Sequence, residues 1–254
     1  MHPPLRRAPL RSPADVAIRP RCDIHRQANA PDAASAARRI ARTFRGVTPG
    51  PRTRRARRRL LRVSTPFDQQ RYQVRHEWGS AGFARLAPAD VVVVVSVLGE
   101  HDAAPIADAA LAAGSIVLLG GLRNATAVAS AIADEQARRG ARTSVSIISV
   151  GEETPHGVRF AVEDQFGAGA VIDALGNRGI DHTSPEAAAA AESYRGLGRA
   201  VRHLLTAGGT GQRLVAEGRR ADVLRAAELD ASDDPGRYRP SISAASSPQA
   251  VSQG

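Results

Sequence analysis

Asp90-Val-Val-Val-Val-Val-Ser-Val-Leu98 decides the fold class. The run is too short to span a membrane and too β-branched for a helix. It is also too uniformly apolar for a strand with one wet face. Flanked by Pro88-Ala-Asp90 and Gly99-Glu-His101, it reads as a strand buried on both faces, a central member of a parallel sheet covered by helices. Ligands in such folds collect beyond the carboxyl ends of the strands, so Ser96–Asp102 is the first place to look for chemistry.

Working outward, apolar runs alternate with helical patterns. Arg71–Trp78 alternates apolar and polar residues, as an edge strand with one wet face does, and Gly79–Ala87 reads as a short helix or turn. A helix at Ile106–Ala113 leads to a strand at Ser115–Leu119. A turn at Gly120–Thr126 follows, then a helix over Ala125–Arg139 that stops at Gly140. Ser144–Val150 is a third buried strand. The loop 151–157 and the segment Val158–Val162 precede a helix over Glu163–Gly176. Ser184 and Pro185 are the N-cap and first residue of a helix running towards Leu205, and Gly208, Gly209 and Gly211 break it. A short helix at Gln212–Glu217 and a strand or helix at Asp222–Glu228 complete the order. The expected class is α/β, a three-layer α/β/α arrangement around a mostly parallel sheet.

The charge is uneven. Between Met1 and Thr65, 17 arginines face only Asp15, Asp23 and Asp32, so this arm carries +14 of a formal total of +10 and the remainder carries −4. Prolines at 3, 4, 9, 13, 20 and 31 and the block Arg52–Arg59 predict a disordered arm over residues 1–65, with a short helix possible only at Ala33–Phe44. Clustered arginine neutralises phosphate, so nucleic-acid binding through the arm is one reading; without interleaved aromatics, a tail of no specific role is favoured over it. The prolines also argue against a transit peptide. The folded domain is expected over 66–230, with a solvated Ser/Pro/Asp/Gly tail over 231–254. Cys22 is the single cysteine, so neither an internal disulfide nor a cysteine zinc site can form, and a cytoplasmic setting is the default. No apolar window reaches transmembrane length.

Two stretches carry candidate chemistry. Gly120-Gly-Leu-Arg-Asn-Ala-Thr126 joins a strand to a helix N-terminus, where free N–H groups and the helix dipole suit an anion. Arg123 adds a guanidinium and Thr126 a hydroxyl, while Asn124 is the expected N-cap. The sequence is neither GxGxxG nor a P-loop. Glu163-Asp164 opens a helix after an apolar segment, and adjacent carboxylates supply hard oxygen ligands for Mg²⁺. The plainer alternative is that acids favour the first turn of any helix. His101, His156 and His182 have no zinc spacing, and no GxSxG elbow is present.

Val158-Arg-Phe-Ala-Val-Glu-Asp-Gln-Phe-Gly-Ala-Gly169 and Gly179-Ile-Asp-His-Thr-Ser-Pro-Glu-Ala-Ala188 resemble the 2-phosphosulfolactate phosphatase family. Leu122–Ala129, Ala221–Asp230 and the opening Phe67–Val95 resemble it as well. The resemblance implies a three-layer α/β/α fold and a Mg²⁺-dependent phosphomonoester hydrolase that cleaves 2-phospho-3-sulfolactate to sulfolactate and phosphate. It implies Glu163 and Asp164 as metal ligands and catalytic residues and matches Asn124 to the family's asparagine at a helix start; with Arg123 and Thr126 of the same turn, Asn124 would form the substrate-binding corner for phosphate or sulfonate. The partner would then be a small acidic phosphorylated substrate, and a homo-oligomer is compatible with the sequence. The chain also departs from the family. Ser96 stands where the family has an aspartate, an Asn-Gly-Thr/Ser loop is absent, and Leu98 runs almost directly into the helix before Ser115, as though an internal block were removed. Losing an acidic ligand together with a phosphate cradle costs orders of magnitude in phosphoryl-transfer rate. A degenerate member that binds an acidic metabolite, or self-associates, without turnover is therefore the alternative.

Overall fold

The valine run forms the second of four parallel strands. The computed structural model describes residues 65–240; the arm, its expected short helix and nucleic-acid contact, and the tail beyond Pro240 lie outside the described residues. Strands β1 (Val74–Trp78), β2 (Val91–Val95), β3 (Ile116–Gly120) and β4 (Val145–Ser149) lie in the order β1-β4-β2-β3, all neighbours parallel. All five valines of β2 are buried. Val91, Val93 and Val95 face helices α3 (Ala125–Arg139), α4 (Val162–Gly176) and α5 (Pro185–Leu197), while Val92 and Val94 face the layer of α1 (Gly79–Arg85) and α2 (Ala104–Ala112). Three short helices, α6 (Val201–Ala207), α7 (Gly209–Ala216) and α8 (Arg220–Ala226), extend the first layer. This is the three-layer α/β/α arrangement expected from the sequence.

The handedness of crossovers explains the layering. The chain steps from β2 across to β3 through α2 on one face, then back past β2 to β4 through α3 on the other. Reversing direction while keeping right-handed crossovers forces this change of face. Strand β2 therefore sends its chain to one layer while both neighbours, β3 and β4, send theirs to the other. Each of its two flanks is a switch point where a crevice opens at the carboxyl edge.

Aspartates hold β2 to β4 at both ends. At the amino end, Asp90 Oδ2 accepts hydrogen bonds from the Ser144 N–H (2.8 Å) and hydroxyl (2.7 Å). At the carboxyl end, Asp164 accepts from Val97 N–H (2.8 Å) on one oxygen and Gly151 N–H (2.9 Å) on the other. Both outer edges of the sheet are covered. On β1, the His182 carbonyl accepts from Val74 N–H, and the Gln69 side chain exchanges two bonds with the His76 backbone. On β3, Gly236 and Tyr238 supply a backbone acceptor and donor to Leu119 and Val117.

Several local expectations change. The first strand begins only at Val74; His76 is buried with Val74 as the alternation places it, but Arg75, on the face expected to be wet, is buried too. The Arg75 guanidinium donates to the Tyr72 and Ala87 carbonyls and His76 Nε2 meets Ser149 Oγ, so polar residues are accommodated inside. The segment after Gly151 is an antiparallel hairpin of β5 (Glu152–Thr154) and β6 (Gly157–Arg159). Helix α5 starts at the expected Ser184 cap, whose side chain accepts from Ala187 N–H, but stops at Leu197 among Gly196 and Gly198, poor helix formers. Residues 220–226 are helical. Residues 231–240, expected as a free solvated tail, run instead beside β3, with a bridge between Leu118 and Arg237.

Helices α4 and α5 cross where Gly169 meets Ala190. A Cβ added at Gly169 would collide with the Ala190 carbonyl oxygen and stand 2.7 Å from the Tyr194 Cβ. Gly169→Ala is expected to lower stability by about 1–3 kcal/mol in urea unfolding. Gly196→Ala, with open space around the added carbon, should raise it by up to about 1 kcal/mol.

Candidate functional site: the carboxyl edge of the sheet

Of the two crevices beside β2, one is filled and one is open. The filled one, towards β4, holds the Asp164 carboxylate, 1% exposed, between the two chains that diverge after Val95 and Ser149. The open one, towards β3, is a cleft of about 700 Å³. Its walls are the loop Ser96–Ala103 after β2, the turn Leu119–Asn124 after β3, and Ala226 and Ser232 from the carboxyl-terminal segment. The size suits a small metabolite. Glu100, on its rim, is bonded to Arg213 (3.0 Å) and Arg219 (2.9 Å), and the Arg213 bond leads in holding its carboxyl below the ordinary value.

The sequence-derived acid pair does not enter this cleft. Asp164 is a clamp, with one backbone N–H on each oxygen. Glu163 is 3% exposed, and its Oε1 has no hydrogen-bond partner. Between these acids and the Asn124 corner stands Val97. A Cβ on Gly167 of α4 would be 2.5 Å from Val97 Cγ2, 2.8 Å from Val95 Cγ1 and 3.4 Å from the Gly121 Cα. Helix, valine and turn are thus in close contact at this point. Among the described residues no group of three His, Cys, Asp or Glu side chains could hold a metal ion. Of the acid pair, Glu163 keeps a buried oxygen without a partner, whereas both Asp164 oxygens already accept backbone N–H bonds.

The corner residues are together, but each already has partners. Asn124 does not cap α3 with its side chain. Its Oδ1 accepts from Gly121 N–H (3.0 Å), and its Nδ2 donates to the carbonyls of Leu119 and Asp234 (both 3.0 Å). The cause is local: Asn124 closes a 3-10 turn, Leu122–Asn124, which places its side chain back against the strand end. The cap comes from Asp230, which accepts from Thr126 N–H on one oxygen and from the Thr126 hydroxyl on the other, both 2.8 Å. Arg123 donates through Nη1 to Glu228 (2.6 Å) and to the Arg225 carbonyl (2.7 Å). Asp230 and Glu228 were not singled out as site residues from the sequence. A usable signal was present: α3 brings no acid to its own first turn, so a helix dipole was left to be answered from elsewhere.

Comparison with known proteins places the chain. The family model described as 2-phosphosulpholactate phosphatase matches residues 104–235. The chain belongs to this family. No curated protein matches it. The match begins at the first residue of α2 and runs through the segment beside β3, leaving out β2 and the loop Ser96–Ala103 that forms one wall of the cleft. Family membership therefore rests on the half of the fold that carries α3, α4 and α5. Among the described residues no helix is long and apolar enough to cross a membrane.

Burial pushes the Asp164 carboxyl up to about 7, against the two backbone N–H bonds that lower it, and the charge of Glu163 adds to the rise. The native protein thus holds this proton more tightly than the unfolded chain, whose carboxylate titrates near 4. Stability from this group is present at low pH and is lost as pH rises between about 4 and 7, at up to about 1.4 kcal/mol per unit. His76, pushed down to about 4 by burial, works the other way over nearly the same range, so the readout is the difference: as pH rises from about 4 to 7, the denaturant midpoint of the wild type should fall relative to that of Asp164→Asn.

Proposed function

We propose that this member of a phosphatase family binds a small acid bearing phosphate or sulfonate groups in the β2/β3 cleft and does not turn it over through Glu163 and Asp164. The observation that carries the reading is the position of Asp164. Both of its oxygens are committed to backbone N–H groups and the carboxylate is 1% exposed, with Val97 packed between its helix and the cleft corner. Phosphoryl transfer depends on clamping charge onto the transferred group, and an acid sealed in the neighbouring crevice does not supply that.

The anionic character of the ligand is supported by the family and by what lines the cleft. Arg123 and Asn124 stand at its β3 wall, and among the described residues Arg123 Nε and Nη2 have no partner. Guanidinium groups with unused N–H donors favour phosphate and sulfonate oxygens. The family description names 2-phosphosulpholactate, which carries such groups, as the ligand to try first.

The test is a pair of measurements on the full chain with 2-phospho-3-sulfolactate. Phosphate release with and without added Mg²⁺ should stay at the buffer level, while the melting temperature rises by about 3 °C at ten times the dissociation constant. Mg²⁺-dependent release that disappears in Glu163→Gln would overturn the reading in favour of a working phosphatase.

A further inference from the structure

The groups expected to bind an anion are all engaged by one short stretch of the same chain. Glu228 pairs with Arg123, Asp230 takes both the N–H and the hydroxyl of Thr126, and the Asp234 carbonyl accepts from Asn124. Backbone bonds from Asp230 N–H to the Leu122 carbonyl and from Ser232 N–H to the Arg123 carbonyl lay this stretch along the turn. Ser232 then forms part of the cleft wall. The carboxylates at 228 and 230 sit on cationic and hydroxyl donors as phosphate oxygens would.

How the stretch is held separates a strap from a core element. From Glu228 to Pro240 no residue is buried, and Leu229, its one large aliphatic side chain, is 47% exposed. Tyr238 packs partly against the core beyond the strap, but Glu228–Ser232 itself is anchored by surface hydrogen bonds and ion pairs, without the apolar burial that fixes α3, α4 and α5. Segments held in this way open at a small fraction of the global unfolding cost.

We propose that Glu228–Ser232 is an autoinhibitory strap, whose own carboxylates occupy the Arg123–Thr126 turn and are displaced when a phosphorylated acid binds. The inference rests on the reading of the cleft as an acid-binding site and adds how access to that site is controlled. Ligand and strap compete for Arg123, which lines the cleft, while Thr126 and Asp230 line the adjoining pocket, so apparent affinity is reduced by the fraction of molecules in which the strap is closed.

The experiment uses the full chain and inorganic phosphate as probe. Calorimetric titration of the wild type is compared with that of the Glu228→Gln/Asp230→Asn double variant, which keeps the strap's length and much of its hydrogen bonding but removes its charge. Backbone hydrogen exchange of the wild type is followed with and without phosphate. The variant is expected to bind phosphate at least about tenfold tighter, and phosphate should speed exchange at the Asp230 and Ser232 amides of the wild type. Equal or weaker binding by a folded variant overturns the strap, as does exchange that is unchanged or slowed. If the variant does not fold, the wild-type exchange decides alone. If neither chain binds phosphate and the wild type shows no melting shift with 2-phospho-3-sulfolactate, the acid-binding reading falls together with the strap; a shift with that ligand but no phosphate effect removes the strap alone.

Discussion

A single carboxylate joins the two chains that diverge at the carboxyl edge of the sheet. Strands β2 and β4 are neighbours whose continuations leave for opposite layers, so their ends would part and expose unpaired N–H groups. Asp164 satisfies one such group from each. It does so from the first turn of α4, so helix, loop and two strands are tied at one point. The cost of burying the carboxyl is visible in its raised affinity for a proton. The position of Val97, the closure of one crevice and the survival of the other all follow from this tie.

The asymmetry of the two crevices is a matter of occupancy. Parallel strand order creates a switch point on each flank of β2. On the β4 side, α4 enters with its acid, while Val97, at the edge of the open cleft, packs into the notch left by Gly167 and Gly121. On the β3 side, the loop Ser96–Ala103 stands away from the turn and leaves the cleft. Glycine matters here because of close approach: at Gly167 even one additional carbon would press on Val97, Val95 and the turn.

What was legible in the sequence is what short-range chemistry determines. The valine run could be little but a central parallel strand, Ala125–Arg139 carried its own stop at Gly140, and Ser184-Pro185 marked a helix start correctly. What was not legible depended on residues far apart in the chain. Asp230 reaches Thr126 across 104 positions, and no local pattern pairs them. Asn124 had the right residue type for a cap, but the 3-10 turn that it closes redirected the side chain. Glu163 and Asp164 looked equally like metal ligands and like dipole-favoured helix openers, and neither pattern foretold that both Asp164 oxygens would accept bonds from Val97 and Gly151 on other elements. Likewise the apolar–polar alternation of Arg71–Trp78 suggested a wet face, but Arg75 on that face is taken up by the carbonyls of Tyr72, Ala87 and Pro88, the last two from beyond the next helix.

Covered edges have a consequence for assembly. With Gln69 and His182 along β1 and the Gly236–Tyr238 segment along β3, neither border of the sheet offers a continuous row of backbone groups to a second chain. Sheet-to-sheet annealing between copies is blocked on both flanks without a proline or a lysine placed to repel it. Any symmetric pairing of two molecules through these residues is thereby directed to the helical layers, where side chains rather than main-chain ladders would set the geometry.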